Sequence, residues 1–469
     1  MLRSRKKVVL ALILSGSVVA SASQFKQGEV LVKYKDGVLR TRSTMEVLYQ
    51  SLKVKKIRRY SKVMSGLEQL TLDEEGSVEE ALHQLKRDGS VEFAQPNYLL
   101  YTLPLNEPSA HYKASLPCIL PGVSFIPGCE HSLEGDEDDP FRDGSTDESL
   151  AAAKPKVNSA PDDVNPPVAD QDLGRLWGMD KIGAIDSWKA HRGSKAFVVA
   201  DIDTGIDYNH VDLGFNIWRN PNPSEKNDLV GFDFVHNDGL PFDDQEHGTH
   251  TAGTIGAVGG NGIGVSGVSQ IVSLMALKFI SKDGSGTTAD AIRAIDYAIN
   301  HGARVLSNSW GGQGDPDNKA LYEAIERARA KGVLFVAAAG NSSADNDSPD
   351  SASYPAAFDN DNLISVAATD KEDGLAYFSN YGQKTTHLAA PGDKIYSTIP
   401  GNQYRSMSGT SMACPHVAGA AALVWSKHPS WDYKKVKQAL LSTVDPLPAL
   451  SDKVISGGRL NVLNALKYQ

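Results

Sequence analysis

Residues 197–207 read FVVADIDTGID. A short apolar run of this kind, broken only by Asp201 before Asp203 and closed by a turn, predicts a strand buried on both faces, and such strands sit in the middle of parallel sheets. Asp203 stands at the carboxyl end of this strand, where Thr204 and Gly205 turn the chain. Ser273–Phe279, Val305–Asn308, Val333–Ala339 and Leu363–Ala368 repeat the pattern, while Ala289–Asn300, Lys319–Lys331 and Ser411–Ser426 carry helical periodicity. Strands alternating with helices predict an α/β domain with a doubly wound, mostly parallel sheet over residues 169–469. Ligands of such sheets bind beyond the carboxyl ends of the strands.

The chain has 469 residues, which at about 150 residues per unit suggests three units. Hydrophobic residues at 41% and charged residues at 22% are compatible with a packed core. The net charge of -10 would repel a phosphate backbone, so nucleic acid is excluded as a partner. At the amino end Arg3, Arg5, Lys6 and Lys7 precede an apolar run, Val8–Ala20, and a small-x-small site, Ala20-Ser21-Ala22. This reads as a secretory signal over 1–22 and predicts a secreted product, extracellular or periplasmic. The run is shorter than the ~20 residues that cross a bilayer, so no membrane partner is expected. The chain has three cysteines; Cys118 and Cys129 are close enough in sequence to pair, and Cys414 is left over.

Residues 23–103 read as a small α+β, ferredoxin-like unit. Glu29–Lys35 alternates like a strand, and Val78, Ala81, Leu82 and Leu85 mark one helix face before Gly89. The basic run Lys53–Lys62 reads as a solvated face. Residues 104–168 hold 4 basic and 12 acidic side chains, are rich in Pro and Ser, and lack periodicity, which predicts an acidic linker.

Three motifs bear on chemistry. Asp203 is placed to orient a histidine, although Asp-Thr-Gly also occurs in aspartic proteases, where two such loops share a proton; no second copy is present. His247 opens HGTHTAGTIGA; its spacing from His250 also allows the two to share a metal on one helix face, but the HExxH of zinc proteases is missing. Ser411, in SGTSMACPHVAGAAALVW, starts a buried helix whose free N–H groups and preceding Gly409 allow close approach of a substrate.

Asp203, His247 and Ser411, in that order and within DTG, HGTHTAG and GTSMACPHVAG, resemble the subtilisin-like serine proteases, in particular their thermitase-like branch. The resemblance covers residues 169–469, and 23–103, ending in VEFAQPNY, is similar to the family's inhibitory propeptide. It implies a serine endopeptidase made as an autoprocessed zymogen, with polypeptide substrates and its own propeptide as an intramolecular inhibitor; a monomer is expected. By the same resemblance Asp203, His247 and Ser411 form the triad and Asn341 in FVAAAGNSS supplies the oxyanion donor. Gly284, Ser285 and Gly286, with Ser309, Trp310 and Gly311, form the substrate edges. Ala338 to Gly340 make the second pocket wall, and Ser353 stands at the pocket floor where many relatives have Gly. A structural Ca²⁺ is implied at Asp170, Asp212, Val258, Asn261, Ile263 and Val265, a set of oxygens that suits a hard cation. A second site at Asp233 and Asp238 is expected to be weak or lost, because His236 stands where an Asp is usual. The rival reading is a catalytically inactive subtilase fold used as a binding module, and the presence of all four catalytic residues argues against it.

Overall fold

The computed structural model describes residues 24–38, 40–60, 64–103, 169–313 and 316–469. The expected signal segment, the acidic linker and the Cys118 and Cys129 pair lie outside the described residues.

The carboxy-terminal unit is built on a nine-stranded sheet. Its order is Asp445–Pro446, Gly458–Arg459, Leu388–Pro391, Leu363–Thr369, Leu334–Ala338, Ala303–Asn308, Gly193–Asp203, Ile271–Lys278 and Gly231–Asp233. All neighbours are parallel except the first pair. The FVVADID strand lies inside the sheet, with Ala200 in register with Met275 on one side and Leu306 on the other. Its side chains alternate between two cores. Val199, Leu274, Val305, Val336 and Val366 point to the helices His247–Gly256 and Thr410–Lys427, whereas Ala200, Met275, Leu306 and Phe335 point to Thr288–Asn300 and Lys319–Ala330. The period of two along each strand therefore fills both faces, as a doubly wound sheet requires.

The amino-terminal unit is a βαββαβ fold. Strands Phe25–Tyr34, Val54–Arg59, Leu67–Leu72 and Val91–Thr102 form an antiparallel sheet, with the last strand beside the first and the second at the far edge. Val30, Val32, Tyr34, Leu70 and Leu85 make a core of their own with the helices Arg42–Ser51 and Val78–Leu85. Leu31, Phe93 and Leu100 on the other face join a core of the larger unit. Gln95 and Asn97 reach the amino ends of two helices there. Gln95 Oε1 accepts from Ala320 N at 3.0 Å and Asn97 Oδ1 from Ala289 N at 3.0 Å, satisfying N–H groups that have no partner within their helices. Lys33 adds an ion pair with Glu323 at 2.8 Å.

The Val91–Thr102 strand serves both units. Beyond its pairing with Phe25–Tyr34 it enters the larger unit, where Leu99, Leu100 and Tyr101 pair with Thr287, Gly286 and Ser285 on one side. Thr102 and Tyr101 pair with Trp310 and Gly311 on the other.

Candidate active site

Asp203 ends its strand fully buried, and Thr204 N donates to its Oδ1 at 2.7 Å. His247 Nδ1 donates to the same oxygen at 2.7 Å, which leaves the lone pair of the neutral ring on Nε2. That atom is buried and has no hydrogen-bond partner among the described residues. His250 does not join it, because its Nε2 donates to the carbonyls of Ile395 at 3.0 Å and Arg405 at 3.1 Å. Burial pushes His250 down to about 3, and the nearby His247 adds to the shift. The two histidines therefore do not form the metal pair that their spacing allows.

The approach to His247 is fixed by a network that motif reading did not single out. Asp243 Oδ1 accepts from Thr204 Oγ1 at 2.8 Å, Gln245 N at 2.9 Å and Glu246 N at 3.0 Å. Its Oδ2 accepts from Thr249 N at 2.8 Å. One buried carboxylate thus ties the turn after Asp203 to the start of the His247 helix and satisfies one orphan donor there, Thr249 N, while His247 N and Gly248 N donate to Gln245 Oε1 and Thr204 Oγ1. Glu246 holds a φ of 99°, a backbone state that costs about 1–3 kcal/mol, and is anchored by Arg405 at 2.9 Å. Lys278, 1% exposed in its side chain, binds Asp244 at 2.6 Å and Thr204 O at 2.7 Å. The signal for this network was the acidic run Asp243-Asp244-Gln245-Glu246 just before a helix.

Asp201, two residues before Asp203, is also buried. Its Oδ2 accepts from Thr251 Oγ1 at 2.9 Å. Burial, and then the charge of Asp203, raises its carboxyl well above the usual range.

Ser411 is the second residue of the Thr410–Lys427 helix and is buried. Its Oγ lies 2.9 Å from Ser309 O and 3.2 Å from Leu103 O, both acceptors for its single proton, and it makes no hydrogen bond to His247 here. Asn341, in the loop after Leu334–Ala338, has its carboxamide orientation fixed: Oδ1 accepts from Thr410 N and Thr410 Oγ1, each at 2.9 Å. The Nδ2 is left to donate to Leu103 O. A Cβ on Gly409 would stand 2.8 Å from that same oxygen, so glycine is required there by close approach.

The expected pocket residues come together around Leu103. A Cβ on Gly311 would stand 3.6 Å from Leu103 Cδ1 and 3.1 Å from Ser353 Oγ, and one on Gly340 would stand 3.1 Å from Ser353 Cβ. Ser353 therefore lies between the two walls, at the floor. Ala338 is buried at the end of its strand, and Gly340 N donates to Thr410 Oγ1 at 3.1 Å. Ser309 Oγ donates to Ser411 O at 2.9 Å, and Trp310 packs on Phe279 with ring centres 4.9 Å apart. Thr102 N donates to Gly284 O at 3.0 Å.

The expected cation residues gather on one loop. Asp170 accepts from Gly260 N and Asn261 N at 3.0 Å and from Gly262 N at 3.3 Å. Asp212 accepts from Asn261 Nδ2 at 2.8 Å and Val265 N at 2.8 Å, and Val258 N donates to Asp212 O at 2.8 Å. Ile263 N donates to Asn261 Oδ1 at 2.8 Å. Burial raises both carboxyls, Asp212 to about 6, with the charge of Asp170 adding to the shift at Asp212. At the second expected site Asp233 is taken up by His236, 2.8 Å away, and Asp238 by Leu240 N at 2.9 Å. Among the described residues no three His, Cys, Asp or Glu side chains cluster to hold a metal, and no helix is long and apolar enough to cross a membrane.

Residues 194–462 match the model of the subtilase family, Peptidase_S8, and residues 14–97 match that of the fervidolysin N-terminal prodomain. The chain is 39% identical over 294 residues to thermitase of Thermoactinomyces vulgaris, covering 63% of this chain and 96% of that one. It is 39% identical over 295 residues to a thermophilic serine proteinase of Bacillus sp. (strain AK1), covering 63% and 68%. To subtilisin DY of Bacillus licheniformis it is 40% identical over 249 residues, covering 53% and 84%. The chain belongs to the subtilase family. It is a serine endopeptidase preceded by a prodomain, and the two units described above are those parts.

Proposed function

We propose that this chain is a secreted zymogen that hydrolyses peptide bonds through Ser411, His247 and Asp203, with Asn341 stabilising the oxyanion. One observation carries the reading: a carbonyl, Leu103 O, is bracketed by Asn341 Nδ2 and Ser411 Oγ, and the helix that Ser411 opens shares its core with the helix opened by His247, whose Nε2 is unpartnered. Rotation of the Ser411 hydroxyl from Ser309 O toward His247 Nε2 gives the nucleophile its base. The proton moves to Nε2 as Oγ attacks, and returns to the leaving nitrogen as the acyl-enzyme forms. Asp203 holds the Nδ1–H tautomer and stabilises the imidazolium. The negative charge that develops on the carbonyl oxygen meets Asn341 Nδ2, a donor fixed in advance by the Thr410 contacts, so no reorganisation is needed at that moment.

Extended polypeptides are the substrates, added as a strand between Ser285–Thr287 and Trp310–Gln313. The proposed boundaries are a signal over 1–22, a propeptide over 23–103, a linker over 104–168 in which maturation occurs, and the protease over 169–469. The mature chain starts before Asp170. A structural Ca²⁺ is part of the reading. Asp170, Asp212 and Asn261, with carbonyls of Val258, Ile263 and Val265, would hold it, and the raised carboxyls are the chemistry it would relieve. When bound, the ion supplies a crosslink between the chain start and the loop behind the His247 helix.

The test is a serine-directed phosphonylating reagent applied to purified active enzyme. Labelling at Ser411 and loss of activity are expected. Labelling elsewhere, with full activity retained in Ser411→Ala, refutes the assignment.

A further inference from the structure

We propose that the propeptide is an inhibitor its own enzyme does not cut at the point of docking. The Leu103 carbonyl is presented to Ser411, the residue that follows it in the sequence is a proline whose nitrogen blocks cleavage, and the first maturation cut falls beyond residue 104 with the cleft still filled. The proposal rests on the serine-protease reading above and adds to it which self-bond is presented and which is spared.

The register identifies the presented bond. Tyr101 pairs with both Ser285 and Gly311, and Thr102 with Trp310, so the strand is held on both sides up to the residue before Leu103. The Leu103 side chain faces Gly311, and its carbonyl oxygen sits between Asn341 Nδ2 and Ser411 Oγ. Leu103 is therefore the residue whose carbonyl would acylate Ser411, and the nitrogen that would have to leave belongs to Pro104.

For any other residue at position 104 the step runs forward. Ser411 Oγ bonds to the Leu103 carbonyl carbon, its proton goes to His247 Nε2, and the carbonyl electrons move to oxygen. The C–N bond then breaks as the Nε2 proton is delivered to nitrogen, which leaves as a primary amine. Proline nitrogen carries two ring carbons and no hydrogen. Its lone pair can meet Nε2 only if the whole ring turns with it, and the ring fills the space of an amide N–H. The adduct instead expels Ser411 Oγ, which takes the proton back, and the bond is intact. General acid transfer contributes about 10²–10⁴-fold to such steps, so its loss predicts at least a hundredfold slower scission.

A cut in the linker then leaves the docked strand in place. It remains held by its two edges, by Gln95 and Asn97 at two helix ends, and by the Lys33–Glu323 pair. Relief of inhibition requires scission within the propeptide itself.

The test uses the full chain as wild type, Pro104→Ala and Ser411→Ala, with products read by intact mass and N-terminal sequencing. Pro104→Ala is expected to release a product beginning at position 104; wild type is expected to release none there, and Ser411→Ala reports cuts by host proteases. In parallel, purified active enzyme is given a peptide of residues 97–108 and its Pro104→Ala counterpart. The substituted peptide should be cut after Leu103 at least a hundredfold faster, and the native one should compete without being cut there. A wild-type product starting at Pro104, or rates for the two peptides within tenfold, overturns the proposal. So does a Pro104→Ala chain uncut at position 103 in an enzyme that degrades casein. If no form degrades casein or is labelled at Ser411, the protease reading itself has failed, and the two failures are told apart.

Discussion

Asn341 makes three hydrogen bonds with separable consequences. Its Nδ2 faces the Leu103 carbonyl oxygen, and its Oδ1 takes the N–H and the hydroxyl of Thr410. Asn341→Ala removes all three. Loss of the oxyanion donor is expected to lower kcat about 10²–10³-fold, the penalty known for the equivalent donor of a subtilisin and carried over here from that relative. The Thr410 N–H, fully buried at the start of the Ser411 helix, is also left without a partner, at a cost of about 1–3 kcal/mol in stability. Asn341→Asp keeps an acceptor for Thr410 and replaces the donor by an oxygen. It should lose at least as much in kcat while keeping most of the stability. The assay is steady-state hydrolysis of a chromogenic peptide by purified active enzyme, beside urea unfolding of each variant in the Ser411→Ala background. Equal drops in kcat and kcat/KM mark an interaction made in the transition state. Activity within threefold of wild type in Asn341→Ala refutes the oxyanion assignment, and equal stability losses in the two variants refute the reading of the Thr410 contacts.

Residues accepted before the cut bond should be medium or large and apolar, as Leu103 is. Neither wall of its pocket offers Lys or Arg to a buried carboxylate, so a peptide library showing preference for Asp or Glu would overturn the pocket. Ser353→Gly should deepen the pocket and shift preference toward aromatic residues, read in the same library. Ca²⁺ should raise the melting temperature and slow autolysis, because a ligand bound only by the folded state stabilises it. Asp212→Ala should remove most of that gain, and a melting temperature indifferent to EDTA would dismiss the site. Acid should destabilise the fold through His250 and His416, which burial pushes down to about 3 and about 4. Unfolded, they take up protons near their ordinary value of 6.5. Their contribution to stability is therefore full above about pH 6.5 and is lost as pH falls toward 4, the unfolded chain binding more protons throughout that window. Urea unfolding at a series of pH values checks this, and His250→Gln should flatten the slope.

The buried strands and the three motifs around Asp203, His247 and Ser411 are legible because they are local: an apolar run ended by Asp-Thr-Gly or a small-residue helix opened by His or Ser announces itself within a dozen residues. The strand at Leu388–Pro391 and the hairpin Ile395–Ile399 with Gln403–Met407 were not read, since each is a few residues long and is specified by its partners. The same holds for the Asp243 network, whose members meet only after the turn following Asp203 packs on the His247 helix. The substrate edges follow from family likeness alone, and the register that brings Leu103 to Ser411 depends on pairings some two hundred residues apart, which no local pattern encodes.

The Val91–Thr102 strand closes a gap between two short strands that face each other across the cleft. Were it removed, as the proposed maturation requires, two backbone edges would be left open to an extended chain, including a loosened segment of a neighbouring copy. Binding substrate and consuming its own kind are then the same act at that surface, so the shelf life of a concentrated preparation should be set by occupancy of the cleft more than by the strength of the core. A slowly cut peptide filling the gap would act as a preservative, and the precursor carries one from the start.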